Sequence, residues 1–378
     1  MYKIMTPGPT NVPQAVMDAR SRWFPNPDVD ISFCEEYRQV CLKLAGLMHT
    51  ENEVFIMDGE GILGLEAACA SLTEPGDRVL VIDNGIYGKG FADFVSMYGG
   101  NPVLYTTDYR RPVATYELAR FLEKDHDFKY ATVVHCDTPS GVLNNISEIC
   151  PLLKSHGILT VVDSVSAMFG AEFRMDDWQI DLACGGSQKA LSAPPGLTFV
   201  AVSRDALSAM ENRHIPIASF YCNILTFRNY YRDKWFPYTM PASDIYGLGE
   251  AVDIVMADKN RTKRHAHIAG ALRNAVTSAG LSLYLEDGFS PTVTVINVPE
   301  GLKADDIIEN MKENYGILIS GSFDYLSGKV LRIGHMGSCA NPKDVAETLC
   351  ALDKTLCSLG FRCKCDMQKA FENGLIYS

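Results

Sequence analysis

The stretch "LTVVDSVSAMFGAEFRMDDWQIDLACGGSQKALSAPPGLTFV", residues 159–200, determines how the rest of the chain is interpreted. Its apolar runs are typical of strands buried on both faces of a parallel sheet. Asp163 ends one run, and Lys189 follows the next in a loop of glycine and serine, 26 positions later. Ligands of α/β proteins bind in the crevice at the carboxyl ends of such strands. We therefore expect a carboxylate and an amine to face one crevice.

Two interpretations of this pair are open. Asp163 can cap a turn while Lys189 reaches solvent, which gives neither side chain a chemical role. The run "GGSQKALSAPPG", residues 185–196, favours the other interpretation, because small residues clear space around one long amine and the prolines stiffen the chain after it. Such a loop suits a lysine that forms a Schiff base.

Size and charge restrict the classes of partner. The 378 residues suffice for two hydrophobic cores. With 34 Lys and Arg against 46 Asp and Glu, the net charge of −12 repels nucleic acid and anionic membrane surfaces. No run approaches the roughly 18 to 20 apolar residues of a membrane span. Because the first motif begins at Thr6, we expect no targeting segment. We expect a small-molecule enzyme without nucleic-acid or membrane partners.

The 12 cysteines lie mostly within apolar runs, where a thiol behaves as a small buried hydrophobe. Their number, with no signal peptide before them, favours a reducing cytoplasm. Cys363 and Cys365 form the one close pair, but no second pair and no histidines follow at zinc spacing. We expect no metal site.

Short apolar runs alternate with helix-like stretches from about residue 50 to 205, which predicts an α/β fold with a mainly parallel seven-stranded sheet. The predicted strands are 53–57, 78–83, 102–106, 130–136, 158–163, 180–184 and 197–203, and the predicted crossover helices are 61–73, 87–98, 114–124 and 146–156.

The pattern changes after about Gly247. Residues 248–280 predict one long helix, ended by Gly280, and the remainder predicts a smaller α+β domain. We expect an N-terminal segment, 1–20, at the domain junction, a large domain over 21–260 and a small domain over 261–378. The basic cluster of Lys259, Arg261, Lys263 and Arg264 is interpreted as a solvated face, with an anion site as the alternative.

A glycine-spaced turn precedes one of the predicted helices. Gly59, Gly61 and Gly64 fit G-x-G-x-x-G, and Asp83 ends the next apolar run at the distance that a dinucleotide-binding unit requires. Alone, this pattern leaves open an NAD-dependent dehydrogenase, in which Asp163 and Lys189 have no role.

Five motifs in order carry a more specific resemblance: "TPGPTNVP", "GEGILGLEAA", "VVDSVSAMFG", "GGSQKALSAPPG" and "GKVLRIGHMG". From about residue 4 to 358 the chain resembles the class V aminotransferases of fold type I, in the alanine–glyoxylate and serine–pyruvate branch. The resemblance implies pyridoxal 5'-phosphate as cofactor, a small amino acid and a 2-oxo acid as substrates, and a homodimer with shared active sites.

The resemblance also implies catalytic roles. Lys189 would hold the aldehyde as a Schiff base and then move the proton between Cα and C4′. Asp163 would pair with the pyridine nitrogen and keep it protonated. Tyr87 would stack on the pyridine ring, and Val165 would contact the cofactor.

For the phosphate, the resemblance assigns the turn and helix start at Gly59, Glu60, Gly61 and Ile62, where unpaired N–H groups and the helix dipole attract anions. Gln188 and Thr239 would also bind it, Thr239 from the other subunit. A carboxylate about 4 Å from a phosphate costs roughly 4 kcal/mol per charge pair at an effective dielectric of about 20. The Glu60 side chain is therefore expected to point away or to pair with a cation.

At the substrate end, Arg332 would bind the α-carboxylate, since a planar guanidinium suits bidentate recognition. The backbone at Pro7 and Gly8 would line the same end, where glycine allows close approach. Thr138 would lie near the phenolic oxygen or the substrate. Five residues depart from the family pattern: Glu60, Ile62, Asp137, Pro139 and Phe236.

Other members of the wider class stay open as alternatives. A 2-aminoethylphosphonate–pyruvate aminotransferase shares the opening motif and the arginine, but its lysine loop usually has Ala-Asn-Lys. A cysteine desulfurase stacks a histidine on the ring. The amino donor and acceptor are not determined by the sequence, and Arg228 or Arg232 in the site would favour a phosphonate or a second carboxylate.

Overall fold

A computed structural model describes residues 2–377. Its strands are β1 Lys3–Ile4, β2 Glu53–Asp58, β3 Arg78–Asp83, β4 Asn101–Thr106, β5 Tyr130–Val134, β6 Cys136–Asp137, β7 Val142–Leu143, β8 Leu159–Asp163, β9 Leu182–Gly186, β10 Leu197–Val202, β11 Val293–Asn297, β12 Ile317–Leu318 and β13 Val330–Gly334. Its helices are α1 Gln14–Arg20, α2 Ser32–Leu47, α3 Gly61–Leu72, α4 Ile86–Met97, α5 Thr115–Leu122, α6 Ile146–Ser155, α7 Arg204–Glu211, α8 Tyr230–Asp233, α9 Ala242–Ala257, α10 Arg261–Ser278, α11 Ala304–Tyr315, α12 Pro342–Ser358 and α13 Met367–Tyr377.

Seven strands form the main sheet, in the order β2-β10-β9-β8-β5-β3-β4. Strand β10 is antiparallel to both of its neighbours, and the other pairings are parallel. This confirms the predicted α/β fold with its mainly parallel seven-stranded sheet. The prediction succeeded because helices cover both faces, so that every residue of β5, β9 and β10 is buried and the runs are continuously apolar.

The last third of the chain builds a second hydrophobic cluster. Strands β11 and β13 pair antiparallel, and β1 pairs in parallel with β12. Met5, near the N-terminus, therefore belongs to this second cluster, whose other members lie between Ile268 and Phe371. The first and larger cluster extends from Val16 to Val255 and includes Met336. The domain boundaries at 20/21 and 260/261 stay predictions.

The long helix predicted over 248–280 is wrong, because the chain forms α9 and α10 with a break at residues 258–260. The Asp258 carboxylate accepts hydrogen bonds from the Asn260 N–H at 3.1 Å and from the Arg264 guanidinium at 2.7 Å. The Arg264 guanidinium also donates to the Ala340 carbonyl. The contact of Arg264 with Ala340 is distant in sequence, and local helix propensity does not reveal it.

Among residues 2–377, no helix combines the length and the apolar character that crossing a bilayer demands. All 12 cysteines are free thiols, and most are buried as predicted.

Candidate active site

Asp163 and Lys189 lie at the same edge of the sheet. Strand β8 ends at Asp163, and its parallel neighbour β9 leads into the loop that carries Lys189. Both side chains line one cavity of about 280 Å³. The cavity is lined by Gly8, Pro9, Glu60, Gly61, Ile62, Leu65, Tyr87, Thr138, Asp163, Val165, Ser166, Gln188, Lys189 and Pro195.

The Lys189 amine is held by the N-terminal segment. Its Nζ donates to the Pro7 carbonyl at 2.8 Å, and Thr10 Oγ1 donates to the Lys189 carbonyl at 3.2 Å. Gly8 has a φ of +106°, and a Cβ there would lie 2.5 Å from Lys189 Nζ, so only glycine fits. Burial, followed by the charge of Arg332, lowers the pKa of Lys189 to about 8. The amine is thus far closer to its neutral, nucleophilic form at neutral pH than an ordinary lysine.

This pKa predicts the pH dependence of the reaction with a pyridine aldehyde. Only the neutral amine attacks, so kcat/KM should rise about tenfold per pH unit up to about pH 8 and then level off. An unperturbed lysine would place that plateau above about pH 10. Stopped-flow absorbance with pyridoxal measures the profile, and a rate still rising above about pH 9.5 would contradict it.

Asp163 is 5% exposed, and its Oδ1 accepts a hydrogen bond from the Val165 N–H at 2.9 Å. Burial raises its pKa to about 7, against the opposing effects of that N–H and of Lys189. Within residues 2–377 nothing else donates a hydrogen bond to this carboxylate, so its second oxygen is available to a ligand. A protonated ring nitrogen there would stabilise the charged carboxylate.

The Glu60 side chain is not where the sequence analysis expected it, since it neither points away from the cavity nor meets a cation in the described chain. Its Oε1 accepts the Ile62 N–H at 3.0 Å and its Oε2 accepts Gln188 Nε2 at 2.8 Å. The Gly59 N–H donates to the Gly196 carbonyl at 2.8 Å. Three of the donors that were assigned to a phosphate are therefore already bonded: the Ile62 N–H and Gln188 Nε2 to the Glu60 carboxylate, and the Gly59 N–H to a backbone carbonyl.

Tyr87 lines the cavity from the first turn of α4. Its N–H donates to Asp137 Oδ1 at 3.0 Å, and Asp137 also accepts from Ser140 Oγ at 2.7 Å. Gly85, before the helix, has a φ of +149°, and a Cβ there would lie 2.4 Å from the Asp137 carboxyl carbon. The departure at Asp137 thus fixes the start of the helix that carries Tyr87.

Thr138 lines the cavity, and Arg332 lies beside Thr138. The Thr138 hydroxyl is hydrogen-bonded to Ser166 Oγ. Arg332, on β13, donates from Nε to the Gly321 carbonyl at 2.6 Å and from Nη1 to the Thr138 carbonyl at 3.5 Å. The guanidinium therefore adjoins the cavity behind Thr138 without lining it.

Thr239 lies outside this cavity, exposed and bonded through its hydroxyl to Asp28 at 2.8 Å. It was assigned to the site of a second subunit, so its role stays a prediction. Phe236 is buried in the core, and the Tyr238 hydroxyl accepts the Asp58 N–H at 3.4 Å.

The remaining charged candidates are bonded elsewhere. Arg228 pairs with Glu53 and Glu211, and Arg232 pairs with Asp233. Neither arginine lines the cavity. The Asp83 carboxylate, the acid of the dinucleotide interpretation, accepts Thr106 Oγ1 at 2.9 Å and the Tyr109 hydroxyl.

Four lining residues were not singled out from the sequence: Pro9, Leu65, Ser166 and Pro195. Ser166 had a usable signal, because it follows Asp163 by three positions in the decisive stretch. Leu65 had none, since an apolar residue in α3 is equally typical of the core.

Comparison with known proteins shows the family of this chain, because the family model described as aminotransferase class-V matches residues 4–322. The chain belongs to the class V aminotransferases. It is 34% identical to a pyridoxamine–pyruvate transaminase of Mesorhizobium japonicum, over 94% of this chain and 92% of that one. It is 32% identical to a serine–glyoxylate aminotransferase of Methylorubrum extorquens, over 88% and 86%. The solved structure of a ureidoglycine–glyoxylate aminotransferase from Bacillus subtilis superposes with a TM-score of 0.94 at 28% identity, over 99% and 98%.

Class V aminotransferases of fold type I depend on pyridoxal 5'-phosphate, so the cavity of this member can be tested against that group. The ring end fits, because Asp163 has an unbonded carboxylate oxygen, Lys189 supplies an amine and Tyr87 an aromatic face. The phosphate end does not fit, because the Glu60 carboxylate holds the Ile62 N–H and Gln188 Nε2. The residues therefore match a pyridine aldehyde better than its phosphate ester.

Proposed function

We propose that this aminotransferase moves an amino group between a small amino acid, alanine or serine, and a 2-oxo acid, pyruvate or glyoxylate, at Lys189. The observation that carries the proposal is one cavity lined by an amine of lowered pKa and by a carboxylate with an unbonded oxygen. The amine would attack an aldehyde and transfer protons, and the carboxylate would bind a protonated ring nitrogen.

The other side chains receive supporting roles in this proposal. Tyr87 and Val165 would hold the two faces of the ring. Arg332 would bind the α-carboxylate of the amino or oxo acid, with Thr138 beside it. The Pro7 carbonyl would orient the Lys189 amine, and Gly8 leaves the space that the amine occupies.

A second candidate concerns the pyridine compound itself. We propose that the unphosphorylated forms enter as substrates, so that pyridoxamine and pyruvate are converted to pyridoxal and alanine. The position of Glu60 favours this reaction, which is the one named for the Mesorhizobium relative. Bound pyridoxal 5'-phosphate, the cofactor that the sequence analysis expected, is the competing candidate and requires the Glu60 side chain to move.

Substrates with a second acidic group are less well supported. Lys189 is the only cation among the side chains that line the cavity, and Arg228 and Arg232 are paired with acids. This favours alanine or serine over 2-aminoethylphosphonate as the amino donor.

We also propose a homodimer in which Thr239 reaches the partner's phosphate end. Several large apolar side chains support an interface because they are exposed: Trp23, Val29, Ile31, Phe220 and Trp235. Among residues 2–377, the two larger of three hydrophobic clusters support the domains 21–260 and 261–378, and the segment 1–20 contributes Val16 to one and Met5 to the other. The free thiols support a reducing compartment such as the cytoplasm.

Dialysed protein distinguishes the two candidates. We expect pyridoxamine and pyruvate to give many equivalents of pyridoxal and alanine without added phosphate ester, measured by absorbance and by amino-acid analysis. Turnover of alanine and glyoxylate only after addition of pyridoxal 5'-phosphate, with none of pyridoxamine, would support the resident cofactor instead. Inactivity in both assays would refute the function.

A further inference from the structure

Phe323 lies against the guanidinium of Arg332. The centre of its ring is 5.8 Å from Arg332 Cζ, within the range of a cation–π contact. The same ring meets the edge of Tyr87, with the ring centres 6.3 Å apart and the planes at 80°. Since Tyr87 lines the cavity and Arg332 adjoins it, Phe323 connects the side chain proposed for the pyridine ring with the one proposed for the carboxylate.

The backbone holds Phe323 in this position. Ser320 exchanges two backbone hydrogen bonds with Arg332, at 2.6 and 3.2 Å, and the Arg332 side chain donates to the Gly321 carbonyl at 2.6 Å. The Phe323 carbonyl accepts the Leu326 N–H at 3.2 Å. The backbone of the segment that carries Phe323 is therefore bonded to Arg332.

The surface that Phe323 presents is apolar. Phe323 is 43% exposed, whereas Arg332 is half-buried. A second carboxylate placed there would lose water, and the cation beside it, Arg332, would already be bound to the α-carboxylate in the proposed function. The ring also occupies space beside the guanidinium, which limits the length of an alkyl chain next to a carboxylate bound there.

We propose that Phe323 determines specificity for the 2-oxo acid and restricts it to monocarboxylic acids with hydrogen or a short alkyl group beside the carbonyl. This inference rests on the proposed function and applies whether the pyridine compound is phosphorylated or not. Phe323 acts by limiting the space and the charge next to Arg332, and it takes no part in proton transfer.

The test compares kcat/KM for pyruvate, 2-oxohexanoate and 2-oxoglutarate in the purified full chain. Phe323→Ala should raise the 2-oxohexanoate-to-pyruvate ratio of kcat/KM about tenfold, mainly through a lower KM for 2-oxohexanoate. Phe323→Arg should raise the 2-oxoglutarate-to-pyruvate ratio about tenfold. Tyr116→Ala, which removes an exposed ring on α5, is the matched control and should leave both ratios unchanged.

The outcomes separate this inference from the proposed function. Unchanged ratios in both Phe323 variants, with normal turnover of pyruvate, would overturn the inference and leave the function intact. A wild-type chain that transaminates none of the acids would refute both. Should Phe323→Ala fail to fold, Phe323→Leu keeps an apolar side chain and should shift the 2-oxohexanoate ratio by about threefold, whereas no shift would again overturn the inference.

Discussion

Replacing Lys189 with alanine is expected to reduce kcat/KM for transamination by about 10⁴-fold or more, because the nucleophilic amine and the proton-transfer base are one group. The Pro7 carbonyl that accepts its hydrogen bond cannot replace it. The measurement is single-turnover kinetics with pyridoxamine and pyruvate at pH 8, where the wild-type amine is half neutral.

Two control variants test whether the loss of activity in Lys189→Ala comes from the missing amine. Lys189→Arg keeps a positive charge in the cavity without a nucleophilic amine, so it should be as inactive as Lys189→Ala. Lys124→Ala removes an exposed lysine after α5 and should keep wild-type activity. A Lys189→Ala enzyme within about a hundredfold of wild type would mean that another group transfers the proton.

Glu60→Ser is expected to improve the affinity for pyridoxal 5'-phosphate, relative to that for pyridoxal, by about a thousandfold. A carboxylate about 4 Å from a phosphate costs about 4 kcal/mol per charge pair at an effective dielectric of about 20, and about 1.4 kcal/mol corresponds to a factor of ten. Serine still caps α3, so the Ile62 N–H keeps an acceptor in the free protein. Equilibrium titration followed by absorbance gives both dissociation constants.

The matched variant Glu60→Gln separates charge from size. It removes the charge but keeps the bulk at the helix terminus, so its gain in relative phosphate affinity should be smaller than that of Glu60→Ser. Equal affinity for the two pyridine compounds in the wild-type chain would show that Glu60 leaves the turn when phosphate binds. The structure would then no longer favour unphosphorylated pyridoxal over pyridoxal 5'-phosphate.

The sequence could predict the sheet and the paired charges because both depend on local patterns. Strand β5 consists of five consecutive buried residues, Asp163 is the last residue of β8, and Lys189 follows the end of β9 by three positions. The break between α9 and α10 could not be predicted, because Asp258 is stabilised there by Arg264, whose guanidinium also contacts Ala340.

The directions of the side chains at the site were harder to predict from the sequence. The turn at Gly59 follows from glycine spacing, but the direction of Glu60 depends on Gln188, which is 128 positions away in the chain. The contact of Phe323 with Arg332 likewise depends on the pairing of Ser320 with β13. The role of Thr239 depends on a second subunit, and no single-chain pattern contains that information.

The pairing of β1 with β12 constrains the order in which a growing chain can complete its site. Lys3 and Met5 bond to the carbonyls of Gly316 and Leu318, and Gly334 donates back to Met5 at 2.7 Å. Synthesis proceeds from the N-terminus, so the sheet and Lys189 leave the ribosome long before these late residues do. Thr10 can therefore bond to the Lys189 carbonyl before the last third of the chain is made, whereas Lys3 and Met5 gain their partners only after residues 316–334 have been synthesised.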